Sequence, residues 1–230
     1  MRLAALFSGG KDSTYAVFLA KKAGHKIECI ITVRPAADDS LLFHYPNSTM
    51  TEYLAEAMQV PLVSVPAPGR EKEEEAGALD EAVSKAKALY RIEGLVHGGI
   101  ASNFQKQAFE GVCKKHDLEP LAPLWGADQE KYMHELLANN FSVMIVGVSA
   151  MGLEKEWLGR IIDKESLAQL ATLSKKHGFN LAFEGGEAET LVTDCPLFSR
   201  KLRVRKAETH WDGQRGIFEI LEAELVSKDV

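Results

Sequence analysis

Short apolar runs bounded by glycine, proline or polar clusters recur along the first half of the chain. They alternate with segments whose apolar positions fall at helical spacing. Leu3 to Phe7 predicts a buried strand that stops at Ser8-Gly9-Gly10, and an amphipathic segment from near Ser13 predicts a helix closed by Gly24. His25 to Val33 predicts a second strand with Cys29 in the core. Thr51 to Met58 predicts a helix, and Val60 to Pro66 a third strand. The charge run Arg70 to Glu75 opens a long helix whose Leu79, Val83, Ala86 and Tyr90 share one face. Gly94 to Ile100 predicts a fourth strand ending in His97-Gly98-Gly99. Ser102 followed by Gln105 is a capping-box pattern opening a helix through about His116, and a short fifth strand lies near Leu118 to Leu121. Such alternation predicts an α/β fold.

Pro120 and Pro123 mark a change of character, so the expected domains are residues 1–121 and 122–230. The second part predicts a helix from about Asp128 to Asn139, an apolar strand from Phe141 to Ala150, and a helix from Lys164 to His177 stopped by Gly178. Leu202 to Trp211 and Ile217 to Val226 flank a Gly-containing turn, a hairpin signal. Centring the turn on Gly213-Gln214 places Arg203 opposite Glu224 and Arg205 opposite Glu222, with opposite charges facing each other.

Composition narrows the classes. Hydrophobic content of 46% and charged content of 26% fit a globular protein with a real core. A net charge of −6 argues against general affinity for nucleic acid. No apolar run approaches the roughly 20 residues of a membrane helix, and the amino terminus does not read as a signal peptide. The three scattered cysteines, Cys29, Cys113 and Cys195, give neither a disulfide framework nor a zinc spacing, so a reducing cytoplasm is expected.

The densest chemistry lies at Ser8-Gly9-Gly10-Lys11-Asp12-Ser13. Strand, glycine turn and helix together build an anion site, because the turn brings N–H groups close and the helix N-terminus adds more. Lys11 supplies a positive charge, and Ser8 and Ser13 supply hydroxyls. Asp12 beside an anion is costly unless a cation intervenes, which suggests Mg²⁺ between Asp12 and phosphate oxygens. The stretch is neither a Walker A loop nor G-x-G-x-x-G. It matches the SGGxDS loop of the ATP pyrophosphatase superfamily; the plain alternative is a small-residue turn before a helix. If the fourth strand lies beside the first, both glycine turns face the crevice where open α/β sheets bind ligands. Gly98 and Gly99 would then let the backbone approach a nucleotide, with Ser102 at the next helix start; a plain strand-to-helix turn is the alternative. His97 is expected in the core or at the rim. His44 and Tyr45, in the loop over residues 34–49, are ligand contacts or half-buried loop anchors.

A second dense stretch is FEGGEAETLVTDCPLF, Phe183 to Phe198, with Glu184, Glu187, Glu189 and Asp194 inside eleven residues beside Gly185-Gly186 and Thr190. As a strand, it would point Glu187 and Glu189 to one face. Crowded like charges call for a cation, a basic substrate or hydrogen-bond donors; a solvated acidic turn is the bland alternative.

The whole chain resembles the ATP-dependent diphthine–ammonia ligases, particularly archaeal ones, through SGGKDS, DDSLLFHYPN, HGGIASNFQKQAFEGVC, Leu124-Trp125 with Asp128, GLEKEWLGRIID and EGGEAETLVTDCPLF, in family order. The resemblance implies a Rossmann-like, adenine nucleotide alpha hydrolase-like parallel sheet of order 3-2-1-4-5, with a second, smaller α/β domain carrying the acidic motif. It also implies amidation, with ammonium, of the diphthine carboxylate on elongation factor 2 through an acyl-adenylate. On that reading ATP and Mg²⁺ are the cofactors, Lys11 and Asp12 act on the leaving pyrophosphate, and Glu184, Glu187 and Glu189 hold the cationic groups or serve as base. Thr190 and Asp194 orient them. Three positions depart from the family pattern: Phe183 for glycine, Ala188 for an aromatic, and Glu154 for aspartate. The rival readings are tRNA thiolation through an adenylate and a non-catalytic ATP-binding module. Whether the chain forms a homo-oligomer stays open.

Overall fold

The computed structural model describes residues 1–34, 47, 49–67 and 72–228. His44, Tyr45 and the Arg70-Glu71 start of the charge run lie outside the described residues. The chain divides into two compact units, Met1–Trp125 and Gly126–Val230.

In the first unit, β1 (Arg2–Leu6), β2 (Lys26–Arg34), β3 (Leu62–Pro66), β4 (Gly94–Val96) and β5 (Glu119–Leu121) form one sheet of order β3-β2-β1-β4-β5, every pair parallel. The helices between them are α1 (Lys11–Lys22), α2 (Met50–Met58), α3 (Lys72–Tyr90) and α4 (Asn103–Lys115). Strand residues alternate between faces. Ala4 and Leu6 join Cys29, Ile31, Val63 and Val65 in the core that α3 and α4 cover with Leu79, Val83, Phe109 and Val112. Ala78, Ala82 and Ala86 on α3 let that helix sit close to the strands, while α1 packs on β1, β2 and β4 through Tyr15, Ala16 and Val17. After β3 the chain crosses to the far side of β1. The switch point therefore falls between β1 and β4, where the order of an open α/β sheet reverses.

An ionic latch joins α3 to the end of α4. The Asp80 carboxylate receives Lys115 Nζ at 2.8 Å and lies 2.8 Å from His116 Nε2, and Lys87 Nζ donates to the His116 carbonyl. The Lys115 hydrogen bond, seconded by His116, holds the Asp80 carboxyl below its ordinary value against a smaller opposing effect of burial. A carboxyl lowered by folding stabilises the native state above its unfolded value near pH ~3.9, and that stabilisation is lost as pH falls through the folded value. Asp80→Asn is therefore expected to lower the melting temperature at neutral pH and to flatten its decline below about pH 4. Melting curves collected across pH check this. A variant as acid-sensitive as the wild type would overturn it.

The second unit contains α5 (Gln129–Ala138), β6 (Ser142–Val148), β7 (Ile161–Ile162), α6 (Lys164–His177), β8 (Ala188–Asp194), β9 (Arg200–Trp211) and β10 (Gly216–Ser227). Its sheet is antiparallel around β6, with β8 on one side, β7 and β10 on the other, and β9 beyond β10. Asp128 caps α5 by accepting the Lys131 N–H at 2.8 Å. Asp163 and Ser166 form a reciprocal capping box at the start of α6. In the hairpin, Arg203 faces Glu224 as the charge pattern predicts. Irregularities around Glu222 change the next pair: Glu222 faces Lys206, and Arg205 reaches Glu224 at 3.5 Å. Among the described residues no helix is long and apolar enough to cross a membrane.

Candidate active site

β1 ends at the turn that the sequence singles out. Gly9 takes φ of 81°, the left-handed region open to glycine, and Gly10 is extended and caps α1, which starts at Lys11. The hydroxyls stitch the turn. Ser8 Oγ lies 3.1 Å from Ser13 Oγ and accepts the Gly10 N–H at 3.3 Å, while the Ser8 N–H donates to Ser13 Oγ at 3.3 Å. Lys11 is 2% exposed, and its ammonium contacts both oxygens of Asp12 at 3.0 and 2.9 Å. A lysine is buried this deeply only when paired, and Asp12 in the first turn also meets the positive end of the α1 dipole. Ser8, Gly9, Gly10, Lys11, Asp12 and Ser13 thus form one structure carrying both a cation for phosphate and a carboxylate for a hard metal. That donor set fits ATP and fits Mg²⁺, which takes carboxylate together with phosphate oxygens.

The second glycine turn lies against the first. A Cβ built on Gly98 would stand 2.5 Å from the Asp12 carbonyl carbon and 2.6 Å from the Ser13 nitrogen. Gly98 is there because two backbones touch. The Gly99 N–H donates to His97 Nδ1 at 3.2 Å, and the His97 ring packs on Phe109 with centroids 4.8 Å apart. Burial, with a contribution from Lys106, pushes the His97 ring down to about 4, so it is a neutral core histidine. Ser102 caps α4, accepting the Gln105 N–H at 3.3 Å.

The acidic stretch behaves differently. Among the described residues, no three His, Cys, Asp or Glu side chains group as a metal site. Glu187 does not share a strand face with Glu189, because β8 begins at Ala188. Its carboxylate turns back to accept the Asn180 N–H at 2.9 Å and the Gly185 N–H at 2.8 Å, tying the glycine turn together. Glu189 lies over Gly147 of β6 at the start of β8. Asp194 sits at the far end, roughly 17 Å further along at the usual rise of an extended strand, and pairs with Lys228 at 2.6 Å. Glu184, Glu189 and Thr190 are half-buried. Replacing Glu187 by alanine is expected to destabilise the protein by about 0.5–1.5 kcal/mol, the net contribution of a typical intramolecular hydrogen bond, since the exposed Gly185 N–H can turn to water. Denaturant unfolding checks it; a loss within error of zero would mean that the turn holds without the carboxylate.

Two features escaped the sequence. Ser149 Oγ donates to the Gly186 carbonyl at 2.7 Å, and Gln129 Oε1 accepts the Leu181 N–H at 3.0 Å. Both are contacts between segments far apart in the chain, and no local pattern announces them. Phe183 takes φ of 60° with its ring buried, which accounts for the family's usual glycine at that position.

A parallel sheet of order 3-2-1-4-5, with helices between its strands and a glycine turn at its switch point, defines a Rossmann-like α/β fold. The chain belongs to the diphthamide synthase family: residues 1–120 match the model of the diphthamide synthase N-terminal domain, and residues 128–226 that of the C-terminal domain. A Homo sapiens protein named diphthine–ammonia ligase is 36% identical over 226 residues, covering 90% of this chain and 84% of its own. The Danio rerio protein of that name is 33% identical over 91% of this chain and 88% of its own. Among solved structures, one titled as a predicted subunit of tRNA methyltransferase from Methanocaldococcus jannaschii aligns at 18% identity and a TM-score of 0.40, over 84% of this chain and 98% of that one.

Proposed function

We propose that the protein is an AMP-forming, ATP-dependent diphthine–ammonia ligase that converts the diphthine carboxylate of elongation factor 2 into the amide of diphthamide. The observation that carries this reading is that both halves of the chain match diphthamide synthase domains while the SGGKDS turn stands intact at the switch point.

The chemistry follows from the poor leaving group of a carboxylate. A diphthine carboxylate oxygen bonds to the α-phosphorus of ATP, and the bond to the β-phosphate bridging oxygen breaks, releasing pyrophosphate. The nitrogen lone pair of ammonia then bonds to the acyl carbon. The acyl C–O bond breaks toward AMP, so one carboxylate oxygen leaves on AMP while nitrogen gives up one proton to the carboxylate base. Charge builds on pyrophosphate in the first step. Lys11, with the N–H groups of the Gly9-Gly10 turn and the α1 N-terminus, is built to stabilise that charge. Mg²⁺ bound at Asp12 would neutralise further phosphate charge. Ser8 and Ser13 hold the turn in shape, and Gly98, Gly99 and Ser102 form the adjoining wall. In the second unit, Glu184 and Glu189 supply negative charge for the trimethylammonium and ammonium groups, one of them acting as base, with Thr190 alongside. Glu187 shapes their turn, and Asp194 anchors the strand end.

Thiolation of tRNA is disfavoured by the cysteines. Burial pushes the thiols of Cys29, Cys113 and Cys195 up to about 12, so none is a ready nucleophile. Three unpaired thiols fit a reducing cytoplasm.

The test is incubation with Mg-ATP, ammonium and diphthine-bearing elongation factor 2 whose carboxylate carries a heavy oxygen label. The expected result is factor-dependent AMP, not ADP, containing the label, with the mass decrease of an –OH to –NH₂ exchange on the factor. AMP without amidation would overturn the substrate, and binding of ATP without turnover would overturn the enzyme.

A further inference from the structure

The loop chemistry above places a cation on the pyrophosphate side of the nucleotide and none on the adenylate side. α4 provides one. Lys106 lies one turn inside α4, its N–H bonded to the Ser102 carbonyl, and helix side chains lean toward the N-terminus of their helix. That N-terminus follows directly from the β4 glycine turn. Gln105, the neighbouring residue, brings its Oε1 to 4.0 Å from the Cβ position of Gly99, and Gly98 touches Asp12 and Ser13. The ammonium of Lys106 rests over the Trp125 ring, 4.4 Å from the centroid. Its charge is felt at His97, the first residue of that turn, where it helps to keep the imidazole neutral.

The local partners do not explain this placement. Glu110 stands one turn along at 3.9 Å, a separation at which an exposed helical pair contributes little. An aromatic face fixes an ammonium without neutralising it, so the charge remains for a ligand. Trp125 arrives from beyond β5, at the same end of the sheet to which the β4 turn belongs. Two strand ends on one side of the switch point thus converge on one ammonium.

We propose that Lys106, held on the face of Trp125, is a second cationic arm of the nucleotide crevice, one that grips the adenylate phosphate while Lys11 serves the pyrophosphate. This rests on the ligase reading above and extends it. Lys106 is a binding residue for the α-phosphate of ATP and for AMP, and Trp125 is a positioning residue acting through it. In the reaction, Lys106 stabilises charge on the phosphate that departs when nitrogen bonds to the acyl carbon.

The experiment is calorimetric titration of the full chain, in magnesium buffer, with ATP, AMP and pyrophosphate separately. Lys106→Met keeps the apolar stem over Trp125 and removes the charge. It is expected to weaken AMP binding about tenfold or more, the effect of deleting one charge-assisted phosphate contact, and to leave pyrophosphate binding and the melting temperature unchanged. Lys106→Arg restores AMP binding, whereas Trp125→Leu weakens it with the charge still present. A wild-type protein that binds neither ATP nor AMP would overturn the ligase reading itself. Wild-type binding left unchanged by Lys106→Met, or AMP and pyrophosphate binding lost in parallel, would overturn the assignment of Lys106 alone.

Discussion

Replacing Lys11 by methionine is expected to slow AMP formation by about 10²–10³-fold, the usual effect of removing one preorganised donor from developing negative charge. The ammonium is 2% exposed and bound to Asp12, so it stands in place before any nucleotide arrives. On the proposed mechanism, preorganisation would give this group its value, because no reorganisation would be needed as charge moves onto the leaving pyrophosphate. Methionine fills a similar volume, so the core around α1 keeps its packing. Asp12 loses its partner, but its side chain is 29% exposed and water can solvate it. The melting temperature should therefore fall by only a few degrees while turnover falls by orders of magnitude. Single-turnover AMP release at saturating ATP and factor measures the effect. A Lys11→Met enzyme that formed AMP at the wild-type rate would remove Lys11 from the mechanism and return the SGGKDS turn to a folding role.

The first unit was legible because its signals are local. The apolar runs of β1 to β3 end at turn residues, α3 buries Leu79, Val83 and Ala86 as its spacing requires, and Ser102 caps α4. The strand–glycine–helix turn at Ser8 to Ser13 could be read because its parts are contiguous in the chain. α6 runs from Lys164 to His177, stopped by a glycine that suits a left-handed cap. In the acidic stretch, closeness in sequence does not keep all four carboxylates together in space. An extended strand carries residues more than 3 Å further apart at each step, so Glu189 and Asp194 separate, while the turn claims Glu187 for its own N–H groups. The hairpin register held at Arg203 and failed at Arg205 because an irregularity near Glu222 is a property of the paired strands, invisible in either alone. The reason for Gly98 was likewise hidden. The paired glycines suggested close approach to a ligand, whereas Gly98 closely approaches the protein's own backbone.

That contact makes Gly98→Ala the most informative substitution outside the anion turn. The added methyl would lie 2.5 Å from the Asp12 carbonyl carbon, 2.6 Å from the Ser13 nitrogen and 2.7 Å from the Asp12 oxygen. These are backbone atoms of the first turn of α1, so no side-chain rotation relieves the overlap. Either β4's turn or the SGGKDS turn must move by about 1 Å, and a displacement of that size at a catalytic constellation costs roughly 10²-fold in rate. The same overpacking should destabilise the protein by about 1–3 kcal/mol. Gly99→Ala is the control. Its methyl meets the edge of the His97 ring at 3.1 Å and otherwise only the far end of Gln105, so a small shift accommodates it. Its melting temperature is expected to stay within a few degrees of wild type, and its loss of activity to be far smaller than that of Gly98→Ala. Kinetics and melting curves on the two variants, side by side, decide the matter. If both glycines tolerate alanine equally, the close approach of the two turns does not set the geometry of the crevice. If Gly98→Ala alone fails, and keeps its fold at a temperature below its lowered melting point, the backbone contact between the two turns is what holds Lys11 and Asp12 in register for phosphoryl chemistry.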